Sequence, residues 1–141
     1  MTLDAPPGLP WNDRGVRVTL PIRTISENNA REHHMARARR RKAQRDMTAL
    51  AIRAHLRSAT LAAPYLVTLT RLAPRKLDGD NLQGAMKAIR DGVADALGVN
   101  DGDESAVTWA YDQRPATGPA LLRGQGVEVR VEARVVSPAR D

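Results

Sequence analysis

The spacing of apolar residues between positions 81 and 97 constrains the fold more than any other feature of the chain. These residues recur every three to four positions, which predicts an amphipathic helix with one buried face. Asp80 or Asn81 is a natural N-cap for it, and Gly98 stands where a helix C-terminus favours left-handed backbone. The buried stripe consists of Leu82, Ala85, Met86, Ile89, Val93, Ala96 and Leu97.

Four other segments have the composition and alternation of β-strands. They cover residues 16–21, 65–72, 107–111 and 126–135. In the last of these, Val127, Val129 and Val131 alternate with charged residues, which predicts one buried face and one charged face. The stretch between the last two strands, residues 113–126, is rich in Pro and Gly and is predicted to be a loop.

A second helix is predicted from Arg31 to Ser58, because this segment lacks Gly and Pro and is rich in Ala, Arg, Leu and Met. We expect its buried stripe to consist of Ala43, Met47, Leu50, Ala51 and Ala54. The resulting order, β-α-β-α-β-β, predicts the α+β class, with a small mixed sheet of about four strands and two main helices packed on it. We expect a flexible arm over residues 1–15, a single domain over 16–136 and a frayed tail over 137–141.

Small residues mark one face of the helix predicted at 81–97. Gly84, Ala88 and Gly92 lie four positions apart, and each Gly in a helix costs roughly 1 kcal/mol relative to Ala. Close packing against a strand or another subunit would compensate for this cost, and close approach of a DNA backbone is a less favoured explanation.

Composition narrows the classes of partner. The chain has 141 residues with only 3% aromatic content and no Phe, so the core must be aliphatic and small enough to be completed by a partner subunit. A net charge of +6 favours a polyanionic partner. The absence of Cys excludes disulfides and thiolate metal sites. With no signal-peptide pattern and no apolar run of membrane-spanning length, we expect a cytoplasmic protein without a membrane partner.

Two short segments gather carboxylates in this basic chain. They are Asp78-Gly79-Asp80-Asn81 and Asn100-Asp101-Gly102-Asp103-Glu104. Clustered like charges repel, so their convergence predicts a bound cation, and oxygen ligands without Cys favour Mg²⁺ or Mn²⁺. In an extended segment Asp78 and Asp80 would point to the same side. The competing interpretation of the first segment is a turn that caps a helix.

The two acidic segments flank the predicted helix, which limits how they can meet. A 17-residue helix spans roughly 25 Å, so Asp101 starts far from Asp78 within one straight subunit. Three arrangements would bring them together. The loop after Gly98 folds back along the helix, the helix is shorter or bent, or Asp101 completes the site of another protomer.

The region from Arg31 to Arg57 carries nine Lys and Arg residues against only Glu32 and Asp46. By itself such a run is equally consistent with a solvated helix face, but next to an acidic centre it favours a phosphate-binding surface. His33 and His34 are adjacent and cannot share one helical face, so we assign them no metal role. The DNA contacts that we expect are Arg37, Arg39, Arg40, Arg41, Arg71, Arg75, Lys76 and Lys87.

Three pieces of the chain resemble the RusA-type Holliday junction resolvases, small Mg²⁺-dependent endonucleases frequent in phages and prophages. They are Asp78-Gly79-Asp80-Asn81-Leu82, Asp95-Ala96-Leu97-Gly98 and Asn100-Asp101. The resemblance implies a RusA-like fold and a homodimer, in which each active site nicks one strand of a four-way DNA junction. It implies Mg²⁺, with Mn²⁺ as a substitute, as the only cofactor. The implied catalytic metal ligands are Asp78, Asp80 and Asp101, with Asp103 as an alternate.

Two departures from the family pattern bear on activity. Gly84 stands where the family usually has a Lys, with Lys87 nearest to replace it, and Asn100 replaces the first acid of the usual pair. We therefore expect a structure-selective endodeoxyribonuclease acting in recombination, repair or phage DNA processing. The alternative is a non-catalytic DNA-binding protein on the same fold, and a third hypothesis is a basic assembly protein whose Asp cluster is only a capped turn.

Overall fold

The computed structural model describes residues 15–25, 33–57, 59, 61–115 and 125–134. The predicted N-terminal arm up to residue 14, the predicted tail and most of the predicted loop at 113–126 lie outside the described residues. The order of strands and helices is as predicted, except that the helix predicted at 81–97 is divided in two. The elements are β1 (Val16–Leu20), α1 (His34–Leu56), β2 (Tyr65–Leu72), α2 (Gly79–Ala85), α3 (Lys87–Leu97), β3 (Val107–Arg114) and β4 (Gly126–Ala133).

The strands form one mixed four-stranded sheet, as expected from the α+β class. Their order is β1-β4-β2-β3, with β2 and β3 parallel and β4 antiparallel to both of its neighbours. Because β4 alone runs in the opposite direction, the carboxyl ends of β1, β2 and β3 lie at one edge of the sheet. We call this the carboxyl edge. The third strand is longer than predicted, since it continues through Gln113 and Arg114.

The core lies between one face of the sheet and the helices, and it is aliphatic. Val127, Val129 and Val131 on β4 are completely buried, which confirms the predicted apolar face of that strand. They pack with Val67 and Leu69 of the neighbouring β2. The helices contribute Ile52, Leu82, Met86, Ile89 and Val93 to the same core.

The predicted buried stripe of α1 is wrong at four of its five positions, while the fifth, Ala51, is partly buried against the core. Met47 and Leu50 are 44% and 71% exposed, and Ala43 and Ala54 are also exposed. The residues that α1 buries are Gln44, Thr48, Ala49 and Ile52. This side of α1 packs on β1 and on α3, where Gly92 lies against Arg45 and Thr48. None of the described helices, α1 included, is long and apolar enough to cross a bilayer.

Gly92 lies at the closest point between α1 and α3. A Cβ atom at this position would lie 2.5 Å from the Arg45 carbonyl oxygen and 2.8 Å from the Thr48 Cβ. The prediction of close packing is therefore confirmed at Gly92, although the neighbour is a helix of the same chain. A Cβ at Gly84 would meet nothing within 4 Å, so close packing within the chain does not explain that glycine.

The helix predicted at 81–97 begins earlier than expected and is interrupted. Asp78 is the N-cap, in place of the predicted Asp80 or Asn81. Met86, with φ −95° and ψ −1°, separates α2 from α3, and its N–H is shared among carbonyls of the preceding turn. Gly98 ends α3 in the left-handed conformation with φ 69°, as predicted. The predicted helix is thus divided at Met86, and its longer part, α3, has only 11 residues, which matches the predicted alternative of a shorter helix.

Candidate functional site

The first acidic segment opens α2. The Asp78 carboxylate accepts one hydrogen bond from the Asn81 backbone N–H at 2.9 Å and a second from the Asn81 side-chain Nδ2 at 3.1 Å. Asp80 is exposed in the first turn of the helix. Asp78 is extended but Asp80 is helical, so the predicted i, i+2 alignment of an extended segment does not apply. The capping interpretation of Asp78 is confirmed, and both carboxylates remain at the protein surface.

Gln113 attaches this segment to β3. Its Oε1 accepts from the Leu77 N–H at 2.9 Å, and its Nε2 donates to the Leu77 carbonyl at 2.8 Å. Both polar groups of one peptide residue are therefore held by one side chain. Because Leu77 immediately precedes Asp78, the start of α2 is fixed at the carboxyl edge, beside the last residues of β3.

The second acidic segment folds back along α3, which was another of the three predicted routes. The Asp101 carboxylate accepts from Arg90 Nε at 3.0 Å and from Lys87 Nζ at 3.5 Å. Arg90 and Lys87 belong to the first turn of α3, although Asp101 follows its last turn. The return of this loop therefore carries Asp101 to the end of α3 that adjoins α2, within one subunit.

Arg90 and two aromatic residues of β3 hold the Asp101 backbone in place. The Asp101 carbonyl accepts from Arg90 Nη2 and from Trp109 Nε1, both at 2.9 Å. Arg90 also donates to the Tyr111 hydroxyl at 3.0 Å, and its guanidinium lies 4.7 Å above the Trp109 ring. The cation–π contact and three hydrogen bonds leave Arg90 little freedom, so Asp101 sits in a rigid frame.

β3 is the common support of the two acidic segments. Trp109, Tyr111 and Gln113 alternate along the strand and therefore face the same side. Trp109 and Tyr111 fix Asp101, while Gln113 fixes the residue before Asp78. Neighbours on this row are about 7 Å apart along a strand. One edge strand thus sets the relative positions of carboxylates that are more than twenty residues apart in sequence.

The electrostatics of Asp101 favour its charged form. Burial opposes ionisation, but the positive charges of Lys87 and Arg90 and their hydrogen bonds outweigh it and lower the pKa of the Asp101 carboxyl. In Asp103, hydrogen bonds from the Ser105 hydroxyl and backbone N–H lower the pKa of the carboxyl. Asp103, the predicted alternate ligand, is thus engaged in a local turn.

Within the described ranges, no three carboxylate or imidazole side chains converge closely enough to hold one metal ion. The structure places Asp78 and Asp80 together at the start of α2, and it places Asp101 between Lys87 and Arg90. The donors are all oxygens, and Asp80 is exposed with no protein group bound to it among the described residues. This set is chemically suited to a hard divalent cation.

A cleft of about 700 Å³ opens beside Asp101, at the free side of β3. Gln83 of α2 reaches it, and Gln83 lies one helical turn after Asp80. The cleft also includes Arg134, whose guanidinium donates to Thr108 Oγ1 at 2.6 Å and to two loop carbonyls. Its other lining residues include Arg90, Asp101, Glu104, Thr108, Trp109 and Tyr111.

The basic face of α1 adjoins this site through Lys87. A groove of about 420 Å³ between α1 and α3 is lined by Arg41, Lys42 and Arg45 on one side and by Lys87 and Asp91 on the other. Lys87 bonds both Asp91 at 2.9 Å and Asp101. The cations of α1 therefore continue towards the acidic site. Of the predicted DNA contacts elsewhere, Arg75 and Lys76 are exposed just before Asp78, whereas Arg71 is buried.

Sequence reasoning missed the residues that position the carboxylates. Gln113 was assigned to a loop, and Arg90 was given no role. The alternation of Val107, Trp109 and Tyr111 was a usable signal for one shared face. Arg90, one turn after Lys87 and close to the same helical face, could have been inferred as a further cation beside the acidic site.

No protein-family model matches the chain, and the search of curated proteins found no match either.

Proposed function

We propose that the protein is a Mg²⁺-dependent, structure-selective endodeoxyribonuclease that resolves four-way DNA junctions. The observation that carries the proposal is the attachment of both acidic segments to β3, with Gln113 holding Leu77 and Trp109 holding the Asp101 carbonyl. Together with the resemblance to RusA-type resolvases, this arrangement supports Asp78, Asp80 and Asp101 as the residues that would hold the metal.

The chemistry supplied by such a cation, when bound, is polarisation of the phosphodiester and activation of water. The residues of the chain perform the remaining tasks. The basic groove with Arg41, Lys42 and Arg45 binds the DNA backbone and orients it toward the site. Lys87 and Arg90 hold the Asp101 carboxylate ionised and oriented. In these ion pairs the positive charges of Lys87 and Arg90 compensate the negative charge of Asp101.

The homodimer belongs to the same proposal. α1 exposes Met35, Met47 and Leu50, which are 55%, 44% and 71% accessible in the single chain. Met47 and Leu50 lie one helical turn apart, and an exposed apolar pair of this kind supports an association surface on this part of α1. A second copy of the chain, placed there by two-fold symmetry, would provide the second active site that paired nicking of a junction needs.

The test compares an end-labelled four-way junction with a linear duplex of the same sequence, in Mg²⁺ and in EDTA. We expect symmetrical nicks in the junction alone, dependent on Mg²⁺. Asp80→Asn should abolish nicking and leave junction binding intact, because Asp80 is exposed and has no structural bond to lose. Asp46→Asn is the matched control, since it removes one exposed carboxylate on α1, bound only to Lys42. Loss of binding together with cutting in Asp80→Asn would contradict a catalytic role.

A second function, DNA binding without catalysis, is favoured by one specific observation. Gly84 faces open space where the resembled family carries a Lys, and Asp101 is already paired with Lys87 and Arg90. A pure binder would show salt-sensitive junction binding and no nicks in Mg²⁺ or Mn²⁺. In that case Gly84→Lys is the variant to make, because the space around residue 84 admits the side chain. If Gly84→Lys gains nicking, the rest of the active site is intact and the absence of a Lys at position 84 explains the missing activity.

A further inference from the structure

Arg71 is a buried cation without a counter-ion. Its side chain leaves the penultimate position of β2 and is only 7% exposed. Nε donates to Thr24 Oγ1 at 2.8 Å, and Nη1 donates to the Arg75 carbonyl. Both acceptors are neutral. Among the described residues no carboxylate lies within ion-pair distance of this guanidinium.

The neighbouring arginine at the same edge shows the contrast. Arg114 ends β3, is exposed, and pairs with Glu128 at 2.8 Å. Arg71 is more deeply buried and would benefit more from an anion, because burying an unpaired charge costs several kcal/mol. Burial lowers the pKa of the Arg71 guanidinium.

One end of the guanidinium remains open to a ligand. Nη2 has no hydrogen-bond partner among the described residues, and it is not one of the solvent-inaccessible polar atoms that lack a partner. It therefore reaches the protein surface. Arg23, Arg75 and Lys76 are exposed beside Thr24 and just after β2, so three further cations lie near the two groups that hold Arg71.

Arg71 is also adjacent to the acidic segment. In the parallel pairing of β2 and β3, Arg71 lies opposite Gln113, the residue that holds Leu77 in front of Asp78. An anion bound to Arg71 would therefore lie at the carboxyl edge, within the same surface region as Asp78 and Asp80. A guanidinium fixed by two bonds with free N–H donors has the geometry for a phosphate oxygen.

We propose that Arg71, oriented by Thr24 and the Arg75 carbonyl, is the receptor for one phosphate group at the carboxyl edge. The phosphate source that fits the neighbouring carboxylates is a DNA phosphodiester, and this part of the inference rests on the proposed function. Free inorganic phosphate has the same chemistry. The anion site itself does not depend on nuclease activity.

The first measurement is thermal unfolding in sodium phosphate and in sodium chloride at equal ionic strength. Phosphate tenfold above its Kd should raise the wild-type midpoint by about 5 °C, and Arg71→Met should abolish the site-specific part of this shift. The general stabilisation by phosphate acts on both proteins, so their difference isolates the site. Arg17→Met, which removes an exposed cation of β1 outside the basic face of α1, should show the same phosphate shift as wild type.

In the absence of phosphate, Arg71→Met should melt at a higher temperature than wild type, because the variant removes an uncompensated buried charge. A merely structural arginine predicts the opposite sign. Arg71→Lys keeps the charge without the guanidinium fork, so it should retain only part of the phosphate shift. An Arg71→Met protein that does not fold counts as the structural outcome, and Arg71→Lys then reports whether any phosphate shift depends on the guanidinium.

The second measurement identifies the source of the phosphate. In Arg71→Met, the slope of log K against log salt for junction binding should fall in magnitude by about 0.9, with the slope of Arg17→Met unchanged. A phosphate shift with an unchanged slope would establish the anion site and reject DNA as its ligand. Equal phosphate shifts in wild type and Arg71→Met, or a lower midpoint of Arg71→Met without phosphate, would overturn the proposal. Nicking by wild type is scored separately, so failure of the nuclease function is distinguishable.

Discussion

The α1–α3 contact and the acidic site supported by β3, which we call the β3 edge, both include residues of the helix predicted at 81–97, but different forces hold them. At the α1–α3 contact, Gly92 lets two backbones approach until no Cβ fits between them. At the β3 edge, side-chain amide, guanidinium and indole groups hold backbone carbonyls and N–H groups of acidic segments. The first region is specified by shape and the second by hydrogen bonds.

The difference shows where the chain tolerates change. Close-packed helix surfaces respond to one added methyl group, because the neighbouring backbone cannot move away cheaply. The β3 edge has open space around Gly84 and a cleft beside Asp101, so added volume is accommodated there. Loss of a single hydrogen-bonding group is the sensitive change at this edge. The following predictions test that distinction.

The largest effect is expected for Gly92→Val. Its Cβ would clash with the Arg45 carbonyl and the Thr48 side chain, so the helix pair must separate. We expect a loss of about 3 kcal/mol in the free energy of unfolding, measured by urea denaturation followed by circular dichroism. A loss below about 0.5 kcal/mol would mean that α1 and α3 are less tightly packed than described. Shape would then not be what specifies the α1–α3 contact.

Next in size is Gln113→Leu at the β3 edge. It leaves the Leu77 N–H and carbonyl without partners, which should cost about 1–2 kcal/mol of stability. If the proposed function holds, nicking should fall about tenfold or more, since the Asp78 segment loses its support. Gln83→Leu, at an exposed glutamine of the adjacent cleft, is the control and should keep wild-type stability. Unchanged stability in Gln113→Leu would contradict a supporting role.

Gly84→Ala should act in the opposite direction from a substitution at Gly92. Nothing lies within 4 Å of the added Cβ, and Ala is favoured over Gly in a helix by about 0.5–1 kcal/mol. The denaturation midpoint should therefore rise without a change in the slope m. A destabilised Gly84→Ala would indicate that residue 84 is covered, for example by a second subunit.

The smallest effect is expected for the ion pair that flanks the α1–α3 contact. Arg45 binds Asp95 through two hydrogen bonds of 2.6 and 2.9 Å, but both side chains are at least one third exposed. A double-mutant cycle of Arg45→Met and Asp95→Asn should give a coupling of about 0.2–1 kcal/mol, reduced by salt. Coupling that persists in high salt would show that the Arg45–Asp95 ion pair, and not only close packing, specifies the α1–α3 contact.

The same pair gives a pH dependence with a defined sign. The hydrogen bond and charge of Arg45 lower the pKa of the Asp95 carboxyl below its ordinary value of 3.8. The folded state thus binds protons less readily than the unfolded state. The coupling should be fully present above pH 3.8 and disappear as the pH falls through the lower, folded pKa.

Much of the fold could be predicted because local patterns report local structure. The alternation of Val127, Val129 and Val131 was sufficient for a strand and its buried face, and Gly98 was sufficient for a helix end. The buried face of α1 could not be predicted, because apolar and small residues occupy more than one side of that helix. Which side turns inward depends on how closely α3 approaches.

The acidic residues of the site could be predicted from the sequence, but the residues that hold them in position could not. Asp78 and Asp101 belong to short segments whose composition is visible in the sequence, whereas Gln113 and Arg90 act only through residues distant in the chain. The metal site and the junction-resolving activity remain predictions for the experiments described above.

By itself, the sequence determined the strands, the helices, the aliphatic core and the acidic and basic segments, because each depends on residues within a few positions of one another. Only the tertiary structure decided the break at Met86, the return of Asp101 to Lys87 and Arg90, and the burial of Arg71 without a counter-ion among the described residues. These features depend on the pairing of β2 with β3 and on the distance between α1 and α3. Such long-range packing is settled by the balance of all contacts at once, so no local pattern records it.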